Sequence, residues 1–325
     1  MNNSIIDWLL TGPPWVQFRT RVDLLAQPEN EPQVSHARQA MLSHPEIQEI
    51  ISQLQEWPGT PLKSHKDASH LLHKLAFLAE LGFNISDDPI KDISSKILRN
   101  RSAEGVFQII MNIPQHFGGT GTDQATWMLC DAPTIIYSLI KFGLIDNDLV
   151  HSALKYLVNL IYDNGWHCTV SPDLKKFRGP GRKDDPCPYA NLVMLKALSE
   201  VPEYLASEAC ATGTETLLLL WENRKSRRPY LFAMGTDFSK LKAPLIWYDI
   251  LHILEVLSRF DRLHSDSRFQ EMVHIVLNKK DENGLFTPES IWRAWKDWEF
   301  GQKKQPSYWI TFLIYRILNR INKNY

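Results

Sequence analysis

The stretch Gly179-Pro180-Gly181-Arg182-Lys183-Asp184-Asp185-Pro186-Cys187-Pro188-Tyr189 puts two carboxylates, a thiol and two basic groups into one loop punctuated by glycine and proline. A strongly apolar run, Leu192-Val193-Met194-Leu195-Lys196-Ala197-Leu198, follows at once and has the make-up of a buried helix. Such a loop suits two kinds of chemistry. A carboxylic acid kept protonated by burial and a like-charged neighbour can donate a proton, which makes Asp184 and Asp185 candidate acids. A thiolate beside a carboxylate can ligate a metal, which makes Asp185 and Cys187 candidate ligands. Plainer uses compete elsewhere. An aspartate that opens a helix, as at Asp67 and Asp131, serves as an N-cap, and Cys130 and Cys210 suit small core sites.

The elements that must position this loop recur along the chain. An outer type of helix leads into a loop with glycine and an aromatic, and then into a strongly apolar helix opened by Asp or Pro. The apolar helices are expected from about 13, 67, 131, 187, 244 and 306, roughly 54 to 64 residues apart. Helices over 13–25, 67–81, 131–142, 244–260 and 306–321 follow from their periodicity and stop signals, and 35–54 reads as one helix bent at Pro45. No segment sustains a period of two, so no sheet is expected. Six hairpins of this length can close into a ring, an α/α toroid of six inner and about six outer helices. The chain 1–325 is then one all-α domain, with 1–60 supplying the N-terminal helices that close the ring.

In such a ring the polar residues at the starts of the inner helices share one mouth. They are Arg19 and Arg21; His65, Lys66, Asp67, His70 and His73; Trp127, Cys130 and Asp131; Asp184, Asp185, Cys187 and Tyr189; Trp247, Tyr248, Asp249 and His252; and Lys303, Lys304, Tyr308 and Trp309. Helix N-termini favour anionic groups there. A net charge of −1 gives no reason to expect nucleic acid, and no apolar run spans a bilayer, which leaves only peripheral membrane contact open. Four scattered cysteines and no signal-like N-terminus point to reduced thiols and a cytoplasmic setting.

The repeat, with Gly-Val-Phe at 105–107, Gly-Trp at 165–166 and Gly-Leu-Phe at 284–286, resembles that of squalene and terpene cyclases and protein prenyltransferase β subunits. Asp185-Pro186-Cys187, with Tyr189, is similar to the Asp-x-Cys that binds zinc in the prenyltransferases. Their third ligand, a histidine of the next inner helix, falls here on Trp247-Tyr248-Asp249, with His252 one turn on. The resemblance therefore implies zinc held by Asp185, Cys187 and Asp249 or His252. It implies an isoprenoid-like substrate among Trp166, Trp247, Tyr248 and Trp309, its anionic head at Arg182 and Lys304. The chain departs from the family in lacking the histidine, an Asp-x-Asp-Asp motif and an Asp-Asp-x-x-Asp motif. Two other readings remain: a non-catalytic toroid that binds lipid or peptide, and a glycan-active toroid enzyme with Asp131 paired to Asp185.

Overall fold

The computed structural model describes residues 3–174, 177, 183–226, 232 and 234–322, and these are mostly helical. Fourteen α-helices occur among them. In order they are α1 (Asn3–Leu9), α2 (Pro14–Arg19), α3 (Pro32–Leu42), α4 (Pro45–Leu54), α5 (Leu71–Leu81), α6 (Asp88–Arg99) and α7 (Ala132–Leu139). Then come α8 (Asp148–Val158), α9 (Pro188–Leu198), α10 (Pro202–Leu205), α11 (Glu208–Glu222), α12 (Ile250–Leu257), α13 (Ser267–Leu277) and α14 (Tyr308–Asn322). No helix is long and apolar enough to cross a membrane among the described residues.

Several boundaries differ from the periodicity. Pro45 does not bend one long helix; it sits at the first position of a new one, where its missing N–H costs nothing. The helix expected from Pro244 begins only at Ile250, capped by Asp249. Strands that the sequence does not announce are present: β1 (Ile109–Asn112) pairs antiparallel with β2 (Asp123–Thr126), and β3 (Ile161–Tyr162) with β4 (Gly165–Trp166). At four and two residues they are too short for alternation to show.

The chain divides into two compact units. In the unit Gln53–Met234, α5 packs on α7 and α7 on α9, while α8 lies against α7 and α11 against α9. Helices α5, α7 and α9 are apolar on nearly every face, as a helix buried on all sides must be. One ion pair ties them together: Lys196 of α9 meets Glu80 of α5 at 2.5 Å, with both side chains 3% exposed. The ammonium also stands 4.7 Å from the ring centre of Tyr137 on α7. The Gly-Trp pair of the sequence has a structural purpose here. Gly165 has φ +103°, and a Cβ there would stand 2.6 Å from Asn191 Oδ1 and Thr216 Oγ1. That lets buried Asn191 accept from the Trp166 N–H at 3.0 Å and donate to the carbonyls of Trp166 and Cys187 at 2.8 Å each. The start of α9 is thereby fastened to the β3–β4 turn.

The other unit joins Met1–Ser52 to Gly235–Tyr325. Here α14 packs on α12, α2 and α1, and α2 continues as a π-helical turn over Thr20–Leu24. Its polar centre is Glu255 of α12, whose carboxylate takes Arg259, Arg316 and Arg320 at 2.9, 2.9 and 3.1 Å. Arg316 reaches on to Asp23, which also pairs with Arg19. Burial raises the pKa of Asp23, but these guanidiniums outweigh it and hold the carboxyl below its usual range.

Candidate active site

The starts of α5, α7 and α9 come together in the unit Gln53–Met234. Asp131 occupies the N-cap position of α7 but makes no cap bond. Its side chain turns instead to His65, with Oδ1 2.8 Å from Nδ1. Asp131 is 1% exposed and the imidazole 30%, so a solvent-reaching base is backed by a buried acid. Burial lowers the imidazole pKa, but the charge and hydrogen bond of Asp131, with a smaller contribution from Cys168, more than offset it and leave His65 above its ordinary value. Oδ2 of Asp131 has no hydrogen-bond partner among the described residues.

Short-range structure sets these two groups in place. The Leu62 N–H donates to Ile110 O at 2.8 Å, which lays the 61–65 segment along β1. His73, on α5, approaches the His65 carbonyl at 3.1 Å through Nε2. Burial drives the pKa of His73 down to about 3, so it remains a neutral packing group. His70 caps α5 by accepting the Leu72 N–H at 3.1 Å. Tyr189, near the start of α9, stands 6.2 Å from the His65 ring.

His65 opens onto a cavity of about 750 Å³. It is lined by Leu62, Met111, Ile113, Phe117, Met128 and Phe177 together with Lys63, Ser64 and Asp123. The lining is thus chiefly apolar with a few polar groups, as small-molecule sites usually are.

Behind Asp131 lie three thiols. Cys130 and Cys187 approach to 3.7 Å between sulfurs, and Cys168 hydrogen-bonds to both. None of the four cysteines is in a disulfide. The sequence places Cys168 in no constellation, because it reaches Cys130 only through the antiparallel bridge of Met128 with Val170.

The remaining candidates fall as follows. Asp184 is exposed, and its carbonyl accepts from Asn164. Asp185 is buried and Cys187 caps α9, accepting the Ala190 N–H at 3.5 Å. Arg182 lies outside the described residues. Trp166 is wholly buried and donates its indole N–H to Leu157 O at 3.1 Å, which makes it a core residue. In the other unit, Tyr248 is buried against Phe238, Trp309 is buried against Phe312, Trp247 is half-buried and Lys304 is exposed. Asp249 and His252 belong to that unit as well. Asp249 accepts the His252 N–H at 3.0 Å as the cap of α12, and His252 Nδ1 stands 2.9 Å from Trp247 O. Among the described residues no three His, Cys, Asp or Glu side chains are grouped as ligands of one ion. Of the family-like set, Asp185 and Cys187 lie in one compact unit and Asp249 and His252 in the other.

Asp249 is fully buried, and burial pushes its carboxyl up to about 7 although Lys242 draws it down. A carboxyl raised above its unfolded value of about 3.9 binds its proton more tightly in the folded chain. Its contribution to stability is therefore highest below pH ~4 and is lost as the pH rises towards 7. Asp249→Asn, which keeps a capping oxygen, is expected to match the parent near pH 4 and to melt at higher temperature at pH 8. Thermal denaturation of both proteins across that range reads the effect, and an equal gap at every pH would contradict it.

No protein-family model matches the chain, and no curated protein matches it in sequence.

Proposed function

We propose that the chain is an enzyme of α/α-toroid type in which His65 and Asp131 perform general acid–base chemistry on an amphipathic, isoprenoid-like substrate. The reading rests on one observation: an imidazole at an apolar cavity with Nδ1 held at 2.8 Å by a buried carboxylate. Its toroid part is supported by packing within each compact unit, α7 against α5 and α9 in one and α14 against α2 and α12 in the other, which is how neighbouring inner helices of such a ring would meet.

Asp131 favours the tautomer with the proton on Nδ1 and stabilises the imidazolium that forms when Nε2 takes a proton. His65 is thus suited to remove a proton from a substrate hydroxyl or an allylic carbon and to return it to a leaving group. The apolar part of the lining takes the hydrocarbon, and Lys63 in the same lining offers a cation to a polar or anionic head. No proposed step passes through a metal ion.

The test is binding and turnover of a farnesyl-sized prenyl diphosphate and of the matching alcohol, followed by protein NMR and product analysis. Ligand-induced shifts at Met111, Ile113 and Met128 are expected, with turnover that rises with pH through a midpoint above 6.5. His65→Gln should retain the shifts and lose the turnover. Shifts confined to residues elsewhere, or unchanged turnover in His65→Gln, would sink the reading.

A further inference from the structure

We propose that Cys168 is an oxidation site, at which a hydroperoxide generates a sulfenic acid that closes to a disulfide with Cys130. The geometry begins with two extended segments. Met128 bridges Val170 in antiparallel fashion, the Leu129 N–H donates to Thr169 O at 2.9 Å, and the Ser171 N–H donates to Trp127 O at 3.0 Å. Cys130 follows Leu129 and Cys168 precedes Thr169 by one residue each, so both lie at the same end of these facing segments. The two thiols are already in hydrogen-bond contact, and Cys187 completes the group 3.7 Å from Cys130.

Exposure divides the roles. Cys130 and Cys187 are 4% exposed, whereas Cys168 is half-buried and so is the thiol an oxidant in solution meets first. The two buried thiols keep their protons. Cys130 is held well above the usual thiol range by Cys168, by Cys187 and by burial. Cys187, relieved in part by Cys130, is pushed up to about 12 by Cys168 and by burial. A half-exposed thiol with buried thiol neighbours is the arrangement that captures a sulfenic acid before further oxidation.

The chemistry balances in two steps. The Cys168 thiolate attacks the outer oxygen of the hydroperoxide; the S–O bond forms, the O–O bond breaks, and the alkoxide or hydroxide leaves and takes up a proton. The Cys130 sulfur then attacks the sulfenic sulfur; the S–S bond forms, the S–O bond breaks, and the oxygen departs as water with the Cys130 proton. Two thiols and one hydroperoxide give one disulfide, one alcohol (or water) and one water. This site stands apart from the catalytic reading, and its test needs no activity.

The native protein is treated with a small excess of hydrogen peroxide, alkylated, unfolded, and examined by thiol titration and peptide mass mapping. Two of the four thiols should disappear, the chain should be about 2 Da lighter, and a peptide pair joined through Cys130 and Cys168 should appear and vanish with dithiothreitol. Cys168→Ser, checked for native circular dichroism, should keep all its thiols under the same treatment, while Cys210→Ser should behave as the parent does. Equal thiol loss in Cys168→Ser, conversion of Cys168 to sulfinic acid without a disulfide, or four unreactive thiols shielded by a co-purified metal ion would each overturn the proposal.

Discussion

Lys196→Met is expected to destabilise the unit Gln53–Met234 by about 3–5 kcal/mol, because it leaves the Glu80 carboxylate buried without its counterion. Methionine preserves most of the side-chain volume, so little of the loss comes from a cavity. What disappears is the only ion pair that Glu80 makes among the described residues, together with the contact over Tyr137. Both partners are 3% exposed, so solvent cannot replace the ammonium. The double variant Glu80→Leu with Lys196→Met removes the buried charge along with its partner and should recover most of the loss. Urea denaturation of the parent, the single variant and the double variant makes the comparison. A single variant within about 1 kcal/mol of the parent would show that water reaches Glu80 and that the pair is effectively a surface one.

Asp131→Asn is expected to lower turnover by about 10²–10⁴-fold, the span general acid–base groups usually contribute, while leaving substrate affinity near that of the parent. An amide cannot stabilise the imidazolium as a carboxylate does, and its N–H₂ can force the proton on His65 onto the wrong nitrogen. The pH profile separates this role from a structural one. Asp131 is what holds His65 above its ordinary value, so the midpoint of the turnover profile should move down in the variant. The sign for stability is also fixed. A histidine with a raised folded pKa contributes stability that is fully present below pH ~6.5 and is lost as the pH rises through the folded value, so Asp131→Asn should cost more stability at pH 6 than at pH 9. An unchanged midpoint with reduced turnover would reassign Asp131 to packing.

Local chemistry was legible wherever it decides the outcome alone. Proline at the head of α9, the left-handed Gly82 that ends α5 and the apolar run of α14 announce those helices. Signals that compete were read less well: Pro244 suits a first turn, yet the chain stays irregular until Asp249 can cap α12. The site is harder still. Asp131 was legible as a helix opener, but its partner is 66 residues away and is delivered only when α5 packs against α7. Spacing therefore favoured Asp184 and Asp185, which are adjacent in sequence, over His65 and Asp131, which are adjacent in space. Cys168 gave no local signal, since a single bridge between short extended segments brings it to Cys130. Gly-Trp at 165–166 was visible as a motif, but its purpose depends on Asn191, which no spacing rule connects to it.

One unit is built from both ends of the sequence, and this has a consequence for synthesis on the ribosome. Met1–Ser52 emerges first, but the segment that completes its core, Gly235–Tyr325, comes only after the whole of Gln53–Met234. At about 5–20 residues per second the wait is roughly 10 to 35 s. During it Asp23 has Arg19 beside it but not Arg316, and Trp15 and Phe18, which end fully buried, have no finished interior to enter. The intervening unit meets no such delay, because every residue it needs is consecutive. The nascent chain thus carries an early segment whose core partners are synthesised last.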